Sequence, residues 1–285
     1  MGTSAAFGGP PGSSPLLPSW LQDPDIDVPV DLEPTATLGD GSVDDEPTAV
    51  IPTAPLRTND DNRFTAPRTS VSEWAASSGT NGRAARRSLG RYARESLGGQ
   101  DGGAKRLRRG REAAVRLAST LHDIQTRGIN AVLLELGLGS FVGRGAEEIA
   151  AALSDAVCPM SSLVDDALVR DAFLDTITVL ADEGIVDFES ITDRQIERLL
   201  IVFTCNVIRA RYLLDCARRA IERAPTDNGA GSLKSDIGAI IEDLVGARLD
   251  GTLSGGSSLG GEQLARAIES VYKQALGLLM RGENA

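Results

Sequence analysis

Apolar residues recur at helical spacing through most of the chain after residue 82. Between residues 103 and 126, for example, Leu107, Ala114, Leu117, Leu121 and Ile124 follow one another at intervals of three, four or seven. Similar patterns predict helices at about 82–97, 103–126, 130–138, 146–157, 162–183, 193–224, 233–249 and 261–281. No segment alternates apolar and polar residues as a half-buried strand does, and no internal repeat is visible. The sequence therefore predicts an all-α fold, a helical bundle-like body of about seven helices.

Residues that start and stop helices support several of these boundaries. Ser162 is followed three positions later by Asp165, and Thr192 by Gln195, which is the spacing of a capping box. A pair of glycines at 98–99 and a proline at 225 end the helices that precede them.

The first 70 residues differ in composition from the rest of the chain. They hold most of the 13 prolines and only scattered large apolar side chains, too few to offset the entropy of ordering the segment. We predict a long disordered N-terminal tail over residues 1–70, a basic helical segment over 71–127 and an α-helical body over 128–285. The transition at 65–82 is rich in Ser, Thr, Gly and Pro and is predicted to be a loop, in which Trp74 docks onto the folded part.

The net charge of −11 conceals three blocks of different sign. Residues 21–62 carry a net charge of −10, residues 63–117 carry +9, and residues 118–285 carry −10 again. This asymmetry is more informative than the net value, because an acidic tail can fold back on a basic segment or compete with an anionic partner for it.

Residues with catalytic or metal-binding chemistry are few. The three cysteines, Cys158, Cys205 and Cys216, have neither a disulfide framework nor a metal-ligand spacing, and we interpret them as small apolar residues of helices. His122 is the only histidine, and the glycine-rich stretch 137–145 lacks the spacing of a nucleotide-binding loop. We therefore expect a protein that is not an enzyme, with no metal site and no cofactor, in a reducing cytoplasm.

The N-terminal stretch MGTSAAFGGPPGSSPLLPSWL has none of the usual targeting signals. No Lys or Arg precedes Arg57, and the apolar cluster PLLPSW is short and interrupted by proline, so export is not expected. The myristoylation pattern requires Ser or Thr where Ala6 stands, and no apolar run is long enough to cross a membrane. Removal of Met1 would leave Gly2 with a free amine. The PLLPSW cluster, with Trp20, is either a short docking segment for a partner or an idle apolar cluster.

Basic residues are concentrated over 83–111. Three interpretations remain open: a solvated helix face, a dock for an acidic protein surface or for the chain's own tail, and contact with nucleic acid. Few aromatic residues lie among them, which argues against stacking on bases. The candidate basic patch comprises Arg86, Arg87, Arg91, Arg94, Lys105, Arg106, Arg108 and Arg109.

Several short stretches occur in the order MGTS, GGP, LLPSW, EWAASSG, RRSLGRYARESLGG, DAVCP and VRDAF, over about residues 2–173. In this order they resemble the QatB family of the bacterial Qat anti-phage defence system. The acidic stretch 21–62 has no counterpart in that resemblance.

The resemblance implies a non-enzymatic partner among four components. The others are a P-loop ATPase (QatA-like), an enzyme similar to the 7-deazaguanine synthase QueC (QatC-like) and a TatD-like nuclease. It further implies that the QueC-like enzyme attaches a deazapurine to the N-terminal glycine. That role corresponds to Gly2 here, with Thr3 and Ser4 as recognition neighbours.

Overall fold

A computed structural model of the chain describes residues 61–77, 81–159, 161–183, 188–222, 227–249, 251–253 and 261–283. These residues form helices and their connections, and no β-strand occurs among them. The predicted all-α fold class is therefore confirmed. The α-helices are α1 Thr65–Ala76, α2 Gly82–Arg91, α3 Gly99–Arg106, α4 Arg108–Arg127, α5 Ile129–Glu135, α6 Ala146–Val157, α7 Val164–Asp182, α8 Asp193–Tyr212, α9 Arg218–Glu222, α10 Asp227–Ile241, α11 Ala247–Leu249 and α12 Gly261–Gly282.

Three helices continue without a break into π turns, in which the helix widens by one residue per turn. These π turns are Tyr92–Ser96 after α2, Leu213–Ala217 after α8 and Glu242–Gly246 after α10. Short 3₁₀ turns occupy Asp61–Phe64, Gly139–Phe141 and Phe188–Ser190.

Helix α8 is the centre of the fold. Every residue from Leu199 to Ile208 is buried, which is the pattern of a helix enclosed on all sides. Helices α4, α7, α10 and α12 pack against it, and one buried apolar cluster extends from α1 to α12. No helix in the described part of the chain is long and apolar enough to cross a bilayer.

Helix α1 corrects the prediction of a loop at 65–82 and of a tail reaching residue 70. Pro67 is accommodated because the first turn of a helix has N–H groups without helical partners. Val71 and Trp74 are completely or almost completely buried, so packing supplies what the Ser- and Thr-rich sequence lacks in helix propensity. The docking role predicted for Trp74 is confirmed. Residues 1–60 of the predicted tail lie outside the described residues.

The helix predicted at 103–126 is two helices, α3 and α4, separated at Leu107. Gly98 adopts the left-handed conformation, with φ of 82°, and lets α3 start at once after the preceding π turn. A Cβ added to Gly103 would collide with the side chain of Leu276 on α12. Gly103 therefore allows α3 to pack closely on α12.

One of the two predicted capping boxes is confirmed and the other is wrong. Thr192 accepts a hydrogen bond from the Gln195 backbone N–H, and the Gln195 side chain accepts one from the Thr192 N–H. At the start of α7, Leu163 is the residue before the first helical turn and forms no side-chain cap. Ser161, rather than Ser162, holds this turn, because its hydroxyl accepts from the Leu163 N–H at 3.0 Å.

Candidate functional site

The residues proposed for modification and for recognition at the N-terminus are Gly2, Thr3, Ser4 and Trp20. All four lie outside the described residues, which begin at Asp61. Their roles therefore stay predictions. The basic patch, in contrast, lies within the described residues, and the structure divides it between α2 with its π turn and the pair α3–α4.

Three patch arginines of α2 and its π turn are paired with carboxylates that are distant in sequence. Arg86 lies 2.9 Å from Asp243 in the third π turn. Arg94 lies 2.6 Å from Glu283 at the end of α12, and Arg91 is 3.7 Å from the same carboxylate. These ion pairs connect α2 and its π turn to the third π turn and to the end of α12.

The two patch arginines of α4, Arg108 and Arg109, have longer contacts with acidic side chains. Arg108 lies 3.3 Å from Glu112, and Arg109 lies 3.6 Å both from Glu112 and from Asp166 on α7. At 3.6 Å these are ion pairs without hydrogen bonds, so the Arg109 guanidinium keeps donors for another acceptor.

Three members of the patch form no ion pair with the described residues. Lys105 and Arg106 are exposed at the end of α3, and Arg87 is half-buried on α2. Exposed cations of this kind are ordinary on helix surfaces and also suit an anionic partner. The structure therefore leaves part of the basic charge accessible, mainly at the junction of α3 and α4.

A second group of charged residues ties α3 and α4 to α12. Arg111 donates to Glu269 at 2.6 Å, and Lys273 lies 2.8 Å from Asp101 and 3.0 Å from Glu269. Hydrogen bonding from Lys273, together with the nearby Arg111 charge, lowers the pKa of Glu269. The same lysine lowers the pKa of Asp101. Asp101 is exposed, and Arg111, Glu269 and Lys273 are half-buried, so solvent partly screens the attraction between these groups.

A buried polar network joins α2 to α8 through Asp215, in the second π turn. The Tyr92 hydroxyl donates to the Asp215 carboxylate at 2.8 Å, and Arg211 Nε donates to the same oxygen at 3.0 Å. Arg68 on α1 donates to the Asp215 backbone carbonyl. Burial, together with the negative charge of Asp215, raises the pKa of Tyr92 well above its ordinary value. The tyrosine therefore stays neutral and acts as a hydrogen-bond donor between helices.

A cavity of about 820 Å³ lies between the start of α8 and the third π turn. Arg198 spans it, donating to Glu242 at 2.5 Å and to Glu183 at 2.6 Å. A Cβ on Gly246 would lie 2.7 Å from the Glu242 carboxyl carbon, so the glycine makes room for that side chain. The principal charges of this cavity are therefore satisfied by each other.

Among the described residues, the cysteines and the histidine do not lie together. Cys158, Cys205 and Cys216 are buried and unpaired, in agreement with their interpretation as apolar core residues. Burial raises the pKa of the Cys158 thiol to about 11, which keeps it protonated. His122 is half-buried on α4, and within the described residues its Nδ1 has no hydrogen-bond partner.

Three residues that the sequence did not single out lie together near the start of α7. Leu163 and Val164 are large apolar residues with exposed fractions of 48% and 52%. Arg116 of α4 lines the same cleft as Leu163. The sequence offered only a weak signal for them, because a helix start gives no indication of which side its first side chains face.

Comparison with known proteins gives one match. A family model described as Qat anti-phage system associated protein QatB matches residues 98–279, which is more than half of the chain. The matched range runs from the end of the first π turn into α12, and includes Lys105, Arg106, Arg108 and Arg109. No curated protein and no solved structure matches the chain.

Proposed function

Because the chain belongs to the QatB family of the Qat anti-phage system, we propose that it is a non-enzymatic adaptor of that system. Its helical body binds the P-loop ATPase, and its N-terminal segment presents Gly2 to the QueC-like enzyme. The family match is the observation that carries this proposal, together with the resemblance of the stretches over residues 2–173. The TatD-like nuclease is a further partner in the same proposal, and the complex is placed in the cytoplasm.

The use of polar residues in the helical body supports an adaptor. Tyr92, Asp215 and Arg211 bond to each other across helices, and Arg198 is held by two carboxylates. Catalysis needs a nucleophile or base directed at a space that a substrate can enter. The groups described here connect elements of the fold instead, as suits a protein whose surface is its working part.

Intact mass spectrometry tests the modification of Gly2. The full chain is expressed with and without the QueC-like enzyme, and we expect the added mass of one deazapurine group only in its presence. Gly2→Pro should abolish the adduct and the defence, because proline replaces the primary amine by a crowded secondary amine. Gly8→Pro, which leaves the N-terminal amine intact, is the matched control.

Two results would overturn this part of the proposal. One is an N-terminus that shows only removal of Met1 after co-expression. The other is full defence by the Gly2→Pro variant.

Co-purification tests the binding of the ATPase. The tagged full chain and the untagged ATPase are expressed together, and we expect them to elute as one species in size-exclusion chromatography. An unrelated tagged helical protein is the control for non-specific capture. Separate elution at micromolar concentrations would contradict an adaptor role for the helical body.

The alternative function is a nucleic-acid-binding subunit that acts through the Arg-rich helices 83–111. The specific observation in its favour is the accessible charge of Arg87, Lys105 and Arg106, which form no ion pair with the described residues. It predicts binding that weakens steeply with salt, because contacts to phosphates release counterions. Unchanged binding after Arg108→Ala and Arg109→Ala would count against it.

A further inference from the structure

A cleft of about 510 Å³ lies between α4 and the connection from α6 to α7. Its apolar side chains include Pro159, Leu163 and Val169, and two arginines of α4, Arg109 and Arg116, line the same space. The cleft thus combines apolar walls with cationic groups.

The rim of the cleft presents apolar side chains on an ordered turn. Leu163 and Val164 are 48% and 52% exposed. The Ser161 hydroxyl accepts from the Leu163 N–H and donates to the Asp166 carboxylate, which fixes the turn before α7. Exposed apolar side chains on a fixed backbone are typical of protein interaction sites, since little conformational entropy is lost when they are covered.

The two arginines retain hydrogen-bonding capacity toward the cleft. Arg116 is anchored by one bond, from its Nε to the Val157 carbonyl at 2.7 Å, and forms no ion pair with the described residues. With the described residues, Arg109 forms two ion pairs, both at 3.6 Å, to Glu112 and Asp166. A guanidinium has five donors and binds a carboxylate through two of them, so both side chains can receive an acidic group.

The charge of the surroundings favours a protein segment over nucleic acid. Asp166 lies in the same cleft, so its two arginines have only a small local excess of positive charge. Residues 63–285 carry 28 basic and 29 acidic side chains, which provides no general attraction for a polyanion. A few carboxylates beside an apolar side chain match the cleft better than a row of phosphates does.

We propose that this cleft docks a segment of a partner protein in which carboxylates flank an apolar side chain. The apolar side chain packs on Leu163 and Val164, and the carboxylates bind Arg109 and Arg116. This inference goes beyond the adaptor function, because it assigns a recognition surface and does not depend on modification of Gly2.

Fluorescence anisotropy with defined peptides tests the proposal on the full chain alone. The probes are three short labelled peptides in which glutamate pairs flank a leucine, a phenylalanine or a valine. We expect saturable binding of at least one probe, and a weakening of about tenfold in the Arg109→Ala/Arg116→Ala variant, since charge-assisted hydrogen bonds are lost. Leu163→Ser should weaken binding similarly, and its half-exposed position makes it a variant that still folds.

Matched controls separate the cleft from general charge and hydrophobicity. Arg83→Ala/Arg144→Ala removes two exposed arginines elsewhere, and Leu174→Ser removes a leucine of α7 that is 41% exposed. Both variants should bind like the unmodified chain. Circular dichroism verifies that every variant keeps its helical content.

Several outcomes would overturn the proposal. They are absence of binding by all three probes, equal binding of peptides with lysine in place of glutamate, and equal losses in the control variants. An oligonucleotide that binds more tightly than the peptides and depends on Arg109 and Arg116 would assign the cleft to nucleic acid. A dimer that dissociates on Leu163→Ser would assign it to a second copy of the chain. Because the assay contains no other Qat component, its failure is distinct from a failure of the adaptor function.

Discussion

Gly110 on α4 lies where α4, α8 and α12 meet. A Cβ at this position would be 2.5 Å from Val207 Cγ1 and 3.0 Å from the Tyr272 hydroxyl, closer than side chains approach in real structures. We expect Gly110→Ala to lower the free energy of unfolding by about 1–3 kcal/mol, because the three helices must move apart. Urea unfolding followed by circular dichroism measures this change.

Gly82→Ala is the control for that substitution. Gly82 is the first residue of α2, and a Cβ there would meet no atom within 4 Å. Alanine also restricts the unfolded chain, so stability should stay constant or increase by about 0.4–1 kcal/mol. Equal losses for the two substitutions would show that helix packing at Gly110 is not the cause.

The bond between Tyr92 and Asp215 allows a second test with single side chains. Tyr92→Phe removes one hydrogen bond and should cost about 1 kcal/mol. Asp215→Ala should cost about 2 kcal/mol, because it leaves the Tyr92 hydroxyl and the Arg211 Nε–H without their acceptor, although Arg211 Nη1 still donates to Asp165. A double-mutant cycle by urea unfolding measures the coupling, and additive losses would mean that the two side chains do not depend on each other.

At the scale of elements, the sequence predicted helices well wherever local signals agreed with packing. The start of α8 is an example, since Thr192 and Gln195 close a capping box and an apolar run follows. Helix α1 was missed because its local signals favour a loop, whereas burial of Val71 and Trp74 decides the structure. Sequence patterns also do not indicate π turns, because the extra residue is placed by contacts such as that of Tyr92 with Asp215.

The sequence showed which basic residues belong to the candidate site, but not which acidic residues they pair with in the fold. The basic residues of 83–111 were evident from the sequence, yet their acidic partners come from positions as remote as Asp243, Glu269 and Glu283. No local rule connects residues separated by more than 150 positions. The sequence did not predict the cleft beside Leu163 for the same reason. Arg116 and Leu163 come together only through the packing of α4 beside α7.

The contact of α3 and α4 with α12 should depend on pH. The pKa values of Asp101 and Glu269 are lowered from ordinary values of 3.8 and 4.5, chiefly by hydrogen bonding from Lys273. A carboxyl pKa that is lower in the folded state stabilises the fold above the unfolded value and stops doing so as pH falls through the folded value. We therefore expect Lys273→Met to destabilise the chain at about pH 7, and to have less effect as pH falls through the lowered pKa values of the two carboxyl groups.

Arg266→Met is the control for this pH dependence. Arg266 also belongs to α12, but it pairs with Glu262 of the same helix, and both side chains are exposed. Its removal should have a small effect on the urea midpoint, because exposed pairs of this spacing contribute little. If Lys273→Met and Arg266→Met give the same profile between pH 3 and pH 7, the link between helices is not the source of the effect.

At the scale of the whole molecule, the buried apolar cluster does not follow the division expected from the sequence. The sequence suggested a basic helical segment at 71–127 and a separate body at 128–285. Side chains of both ranges share one cluster, in which Trp74 and Leu117 belong with Phe203 and Tyr272. A common core of this kind makes the helices depend on one another for their stability.

We therefore expect the described helices to unfold in one cooperative transition. The chain has two tryptophans, so in a Trp20→Phe variant the fluorescence of Trp74 reports on α1 alone, while circular dichroism reports on all helices. Because Trp74 is 1% exposed, its emission should shift to longer wavelength as soon as α1 leaves the core. The two urea transitions should coincide in midpoint and slope, as two-state unfolding requires. A Trp74 transition at clearly lower urea than the loss of helix would mean that α1 detaches first, and that the described helices do not unfold as one unit.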